Sequence, residues 1–83
     1  MYCVYAIYNK DKKRIYIGQT NNLERRLAEH ESPNIHYTGK HHGQWVLIYQ
    51  EKCIDRSMAI AREKQLKSFR GREFLKRLIK EKY

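Results

Sequence analysis

The chain opens with "MYCVYAIY", eight residues that are apolar on both alternating faces. A strand with one wet face alternates apolar and polar residues, so this one needs cover on both sides. The demand is severe in a chain of 83 residues, because a domain near that size buries only about 60% of the surface its unfolded chain exposes. One small domain over residues 1–83 is expected, and two are not. Hydrophobic residues make up 41% of the chain, with seven Tyr, two Phe and one Trp, which suits one folded core rather than a disordered tail.

After a polar turn at "NKDKK", "RIYIG" resumes the strand pattern, so the two stretches predict a hairpin. Asn21, three residues before Glu24, resembles a capping box that opens a helix near Asn22 and frays by Ser32-Pro33. "NIHYTGKHHGQ" is a polar loop, and "WVLIYQE" predicts a third strand. Asp55 or Ser57 caps a helix from about Arg56 to Phe69. Gly71 breaks it, and "REFLKRLIKEKY" supplies a last helix with Phe74, Leu75, Leu78 and Ile79 on one face. The order strand, strand, helix, strand, helix, helix predicts an α+β domain: a small, mainly antiparallel three-stranded sheet flanked by helices.

Charge narrows the choice of partner. Lys and Arg total 18 against nine acids, a formal net charge of +9. The excess is uneven: residues 62–83 hold nine basic and three acidic residues. A basic, tyrosine-rich domain points to a polyanion, with nucleic acid ahead of a membrane surface. Binding of that kind is expected to be sequence-independent and salt-sensitive, with Lys40, Lys64 and Lys67 as phosphate contacts. No apolar run approaches the ~20 residues of a membrane span, and no leader pattern opens the chain, so a cytoplasmic location is expected. Cys3 and Cys53 form no metal-binding or redox pair and read as core fillers in a reducing compartment. His30, His36, His41 and His42 match no zinc-finger spacing.

Two helices carry polar groups where apolar ones belong. In the first, Arg26 lies three residues after Leu23, and His30 lies three after Leu27, all along one stripe. In the second, Glu63 sits between Ala59 and Leu66 on the inward stripe. A buried acid there must meet a cation, a metal or water in a cleft; an ion pair with Arg26 or Arg62 is the structural option. Tyr5 and Tyr16 lie on the two strands of the hairpin, within reach of a common side. Stacking or core packing is the ordinary use of such a pair. A catalytic phenol, with its pKa near 10, needs positive charge or a metal close by. Taken together, these groups match the needs of phosphodiester hydrolysis. Arg neutralises phosphate charge, the acid holds a divalent metal, and a Tyr or His handles the proton of the attacking water.

The residues also resemble those of a known family. Tyr16-Ile17-Gly18, followed by "QTNNLERRLAEH" and later by "AIAREKQLKS" with Glu63, resembles the GIY-YIG nucleases, in particular small stand-alone bacterial members similar to the nuclease domain of the bacterial repair excinuclease. The resemblance covers nearly the whole chain. It implies a metal-dependent endonuclease acting on DNA, in repair or processing, with Mg²⁺ or Mn²⁺ as cofactor. It further implies that Tyr5 and Tyr16 are the two motif tyrosines and that Arg26 contacts the scissile phosphate. His30 would hydrogen-bond a tyrosine or water, and Glu63 would be the sole protein ligand of the metal. The chain departs from the pattern at Cys3-Val4-Tyr5, where only the tyrosine of the first motif remains, and it has no Asn after Asn34. The alternatives are a nucleic-acid binding module that keeps the fold without catalysis, and a small protein-interaction domain with an acidic partner.

Overall fold

The computed structural model describes residues 1–31 and 45–82, the side chains of His30 and Glu31 excepted. The elements are β1 (Tyr2–Asn9), β2 (Arg14–Thr20), α1 (Leu23–Glu31), β3 (Trp45–Cys53), α2 (Arg56–Lys67) and α3 (Phe69–Lys82). The three strands form one antiparallel sheet in the order β2-β1-β3, giving the expected α+β domain. The doubly apolar β1 is the central strand, and Val4, Tyr5, Ala6 and Ile7 are all buried.

Pleating divides the core in two. Val4 and Ala6 join Ile17, Ile48 and Cys53 on one face, where Ala59 and Leu66 of α2 and Leu75 of α3 cover them. Tyr5 and Ile7 join Trp45 on the other, with Tyr16 and with Leu23 and Leu27 of α1 packed against them. A bulge keeps both faces apolar along β3. Ala6 pairs with Tyr49 but Ile7 with Leu47, so Ile48 is the extra residue. It is buried with the α2 and α3 side, while Leu47 packs with Tyr5 and Ile7. The hairpin between β1 and β2 is closed by Asn9, fully buried, whose Oδ1 accepts the Lys12 N–H at 3.0 Å. Both thiols are free; Cys53 is buried and Cys3 half-buried. Among the described residues no helix is long and apolar enough to cross a membrane.

Local chemistry sets the helix ends, in two places differently from the sequence expectation. Asn22, not Asn21, caps α1: its Oδ1 accepts the Arg25 N–H at 3.1 Å. The α1 helix runs to Glu31. The break between α2 and α3 falls at Ser68, not Gly71. Ser68 is extended, its hydroxyl donates to the Gln65 carbonyl at 2.5 Å, and its Oγ accepts the Gly71 N–H at 3.3 Å. One serine therefore stops one helix and starts the next. Gly71 lies in the first turn of α3 because that turn crosses the end of α2 at backbone contact. A Cβ there would fall on the backbone of Gln65 and Leu66.

A polar tie fastens α2 to β3. Arg62 Nε donates to both carboxylate oxygens of Glu51, at 3.1 and 2.9 Å, and Tyr49 donates its hydroxyl to the same carboxylate. Arg62 Nη1 also donates to Gln65 Oε1 at 2.6 Å. Phe74 of α3 meets Tyr49 edge-on, with ring centroids 5.4 Å apart. The hydrogen bond from Tyr49, then that from Arg62, holds the Glu51 carboxyl below its ordinary value. Burial, then the bond to Glu51, pushes the Tyr49 phenol up.

Two outcomes follow from this packing. Gly71→Ala forces backbone apart and should lower stability by about 2–3 kcal/mol, read as a lower urea midpoint at unchanged slope. Glu51 has a folded pKa below its unfolded value near 4.5. Its contribution is therefore present above pH 4.5 and lost as pH falls through the folded value. Urea titrations at descending pH should show that loss in the wild type and a shallower acid limb in Glu51→Gln.

Candidate active site

The α1 face of the sheet brings the two hairpin tyrosines together. Tyr5 pairs with Gly18 and Ile7 with Tyr16, so the tyrosines are diagonal neighbours on one face. Their ring centroids are 6.2 Å apart, with the rings tilted by 35°. Tyr5 is buried and Tyr16 half-buried. Gly18 makes the arrangement possible. A Cβ on it would lie 2.9 Å from the Tyr5 hydroxyl oxygen and 3.0 Å from the Tyr16 ring. The sequence suggests a strand-ending glycine that admits a close approach. In the structure β2 continues to Thr20, and what approaches is the Tyr5 side chain.

Arg26 belongs to the first turn and a half of α1, the helix that packs on this face through Leu23 and Leu27. The buried Thr20 accepts the Asn22 N–H at 3.1 Å, and the Asn22 carbonyl accepts the Arg26 N–H at 3.1 Å. These bonds fix the direction in which α1 leaves the sheet. Leu23 and Leu27 then pack on the tyrosine cluster, and Arg26 follows between them, half-buried, with Nη1 3.5 Å from Glu29 Oε1. Arg25 is exposed. His30 lies in α1 four residues beyond Arg26, its side chain outside the described residues. Lys40, His36, His41 and His42 also lie outside them.

Glu63 belongs to α2, capped by Asp55 rather than Ser57, whose Oδ1 accepts the Met58 N–H at 2.9 Å. Its stripe neighbours Ala59 and Leu66 are buried among the core residues of the opposite sheet face, and α2 lies against β1 and β2. The Glu63 side chain is 24% exposed and pairs with Lys67 at 2.8 Å. The ion pair considered for it in sequence, with Arg26 or Arg62, is not the one found. Arg62 is committed to Glu51 because β3 presents that acid directly to α2. Lys64 is exposed, whereas Lys67 is engaged by Glu63. Among the described residues no three His, Cys, Asp or Glu gather around one point. A single partly exposed carboxylate nevertheless fits Mg²⁺, which keeps several waters and takes one or two carboxylates plus phosphate oxygens.

The GIY-YIG catalytic domain family matches residues 1–76. The chain belongs to the GIY-YIG family. It is 36% identical over 73 residues to a UPF0213 protein of Staphylococcus haemolyticus, covering 88% of each chain. A UPF0213 protein of Oceanobacillus iheyensis is 34% identical over 73 residues, covering 88% of this chain and 84% of its own. One from Desulfotalea psychrophila is 40% identical over 67 residues, covering 75% and 60%. No solved structure gives a significant match. GIY-YIG membership supports a nuclease-type function and a nucleic-acid substrate.

Residues that sequence reading passed over also border this GIY-YIG face. Gln50 stands opposite Tyr5 and Lys52 opposite Cys3 across β1 and β3. Only the strand register reveals them. Gly18→Ala offers a direct check on the tyrosine seat. The added methyl should displace the Tyr5 hydroxyl and cost about 1–3 kcal/mol. Thermal unfolding should record the loss, and proton spectra should record shifted Tyr5 and Tyr16 ring resonances within a retained fold.

Proposed function

We propose that this chain is a divalent metal-dependent endonuclease that hydrolyses DNA phosphodiester bonds, in DNA repair or processing in the cytoplasm. The observation that carries the proposal is the meeting of Tyr5 and Tyr16 on one sheet face, against Leu23 and Leu27 of the helix that also carries Arg26, in a chain of the GIY-YIG family. Arg26 binds the scissile phosphate; its partial burial strengthens its attraction for developing negative charge. Tyr5 or Tyr16 accepts the proton of the attacking water, the Arg26 charge favouring the phenolate. His30, one helical turn beyond Arg26, hydrogen-bonds a tyrosine or that water.

Glu63 is the residue that would hold Mg²⁺ or Mn²⁺, which as a Lewis acid would stabilise the leaving oxygen. What supports this assignment is the place of Glu63 on the inward stripe of α2, between the buried Ala59 and Leu66, together with the family resemblance. Lys64 and Lys67, with Lys40, contact flanking phosphates.

The Glu63–Lys67 pair favours a second reading, in which Glu63 is a helix-surface partner and the fold binds nucleic acid without cutting it. A cleavage assay on nicked, branched and linear DNA, with Mg²⁺ or Mn²⁺ and with chelator, separates the two. Glu63→Gln should abolish metal-dependent cleavage while circular dichroism and DNA binding are retained. Arg26→Ala should lose about 10²-fold or more in rate. A folded Glu63→Gln protein cutting at the wild-type rate would refute the metal assignment.

A further inference from the structure

Beyond Tyr5 the α1 face of the sheet opens into a cavity with no part in the mechanism above. In register, Cys3 lies between Thr20 and Lys52, and Tyr5 between Gly18 and Gln50. Cys3, Gln50 and Lys52 therefore share the face of Tyr5. A cavity of about 260 Å³ lies there, bounded also by Leu23, Asn21 and Met1. Pockets for drug-sized ligands run from about 300 to 1,000 Å³, so this one has room for a single ring system. Met1, Cys3 and Leu23 give it apolar walls, while Asn21, Gln50 and Lys52 form an exposed polar rim. Those three side chains enter no hydrogen bond or ion pair among the described residues.

We propose that this cavity seats one nucleobase of the nucleic acid, next to the phosphodiester held at Tyr5 and Tyr16. The proposal rests on the nuclease reading for that neighbouring phosphodiester. An unstacked base needs an apolar slot for its faces and donor–acceptor groups for its edge. A carboxamide presents one donor group beside one acceptor, so Gln50 and Asn21 can bond a base edge. Lys52, a compact cation, meets the phosphate of the same nucleotide. The apolar walls favour a nucleotide over a bare anion, which would want only the rim. Gln50 lies directly across the strand pair from Tyr5, so a base here is continuous with the reacting phosphate.

The test uses amide spectra of the whole chain, without divalent metal, titrated with each 5′-deoxynucleoside monophosphate and separately with inorganic phosphate. The monophosphates should move the Cys3, Asn21, Gln50 and Lys52 amides. Gln50→Ala and Lys52→Ala should each weaken that binding about 5-fold, with spectra confirming the fold. Inorganic phosphate should leave Cys3 unmoved. Monophosphates that leave these amides unmoved, wild-type affinity in both variants, or identical shifts with inorganic phosphate would each overturn the proposal. Metal-dependent cleavage measured alongside separates the two ideas. Cleavage without a response at the cavity removes the base seat and keeps the nuclease. A response without cleavage keeps the seat as a nucleotide site and removes the nuclease.

Discussion

The burial of β1 on both faces is the constraint on which the other elements depend. Its two neighbours satisfy its backbone edges, and its alternating side chains, Val4 and Ala6 one way, Tyr5 and Ile7 the other, each require a cover. Among the described residues three helices provide those covers. Two are spent on the Val4 side, where α2 and α3 bury Ala59, Leu66 and Leu75. Among the described residues the Tyr5 side receives the short α1, which brings Leu23 and Leu27 and leaves a cavity on part of the face. A thick cover on one side and a thin one on the other gives a stable floor beneath an accessible surface.

The two sides are held by different chemistry. On the thick side, charge and hydrogen bonding reinforce apolar packing: the Glu51 carboxylate joins Tyr49 of its own strand to Arg62 of α2, and Phe74 of α3 rests against Tyr49. Ser68 and Gly71 lock α3 onto α2 at backbone distance. These contacts fix the helix that carries Glu63. On the thin side, Gly18 gives up a side chain so that the Tyr5 hydroxyl can lie against β2, and Thr20 with Asn22 fixes the start of α1, whose Leu23 and Leu27 pack on the tyrosine cluster. Small residues and caps, rather than the apolar core, decide the geometry of the polar groups there.

Glu63 is carried by a helix that covers the sheet on the thick side. Its helix belongs to the thick side by its buried residues, yet lies against β2, which supplies Tyr16 to the thin side. Its carboxylate, partly exposed and paired with Lys67 one turn on, is held by an ion pair of modest strength. The pair spares the carboxylate the cost of an unpaired buried charge.

Local sequence determined the elements and their order, because hydrophobic period, turn residues and cap chemistry act within a few positions. The doubly apolar run "MYCVYAIY", the helical stripes of Leu23 with Leu27 and of Ala59 with Leu66, and the acid at Asp55 suffice for that. They also suffice to mark Arg26 and Glu63 as polar groups on apolar stripes. Exact ends were less legible, since Asn21 and Asn22 are chemically alike and Gly71 signals a break as well as a close contact. Only the tertiary structure decided which long-range partners meet. Strand register set Tyr5 diagonal to Tyr16 and brought Gln50 and Lys52 alongside. The approach of β3 to α2 gave Arg62 to Glu51 and left Glu63 to Lys67. These pairings depend on how whole elements pack, and no spacing along the chain records that.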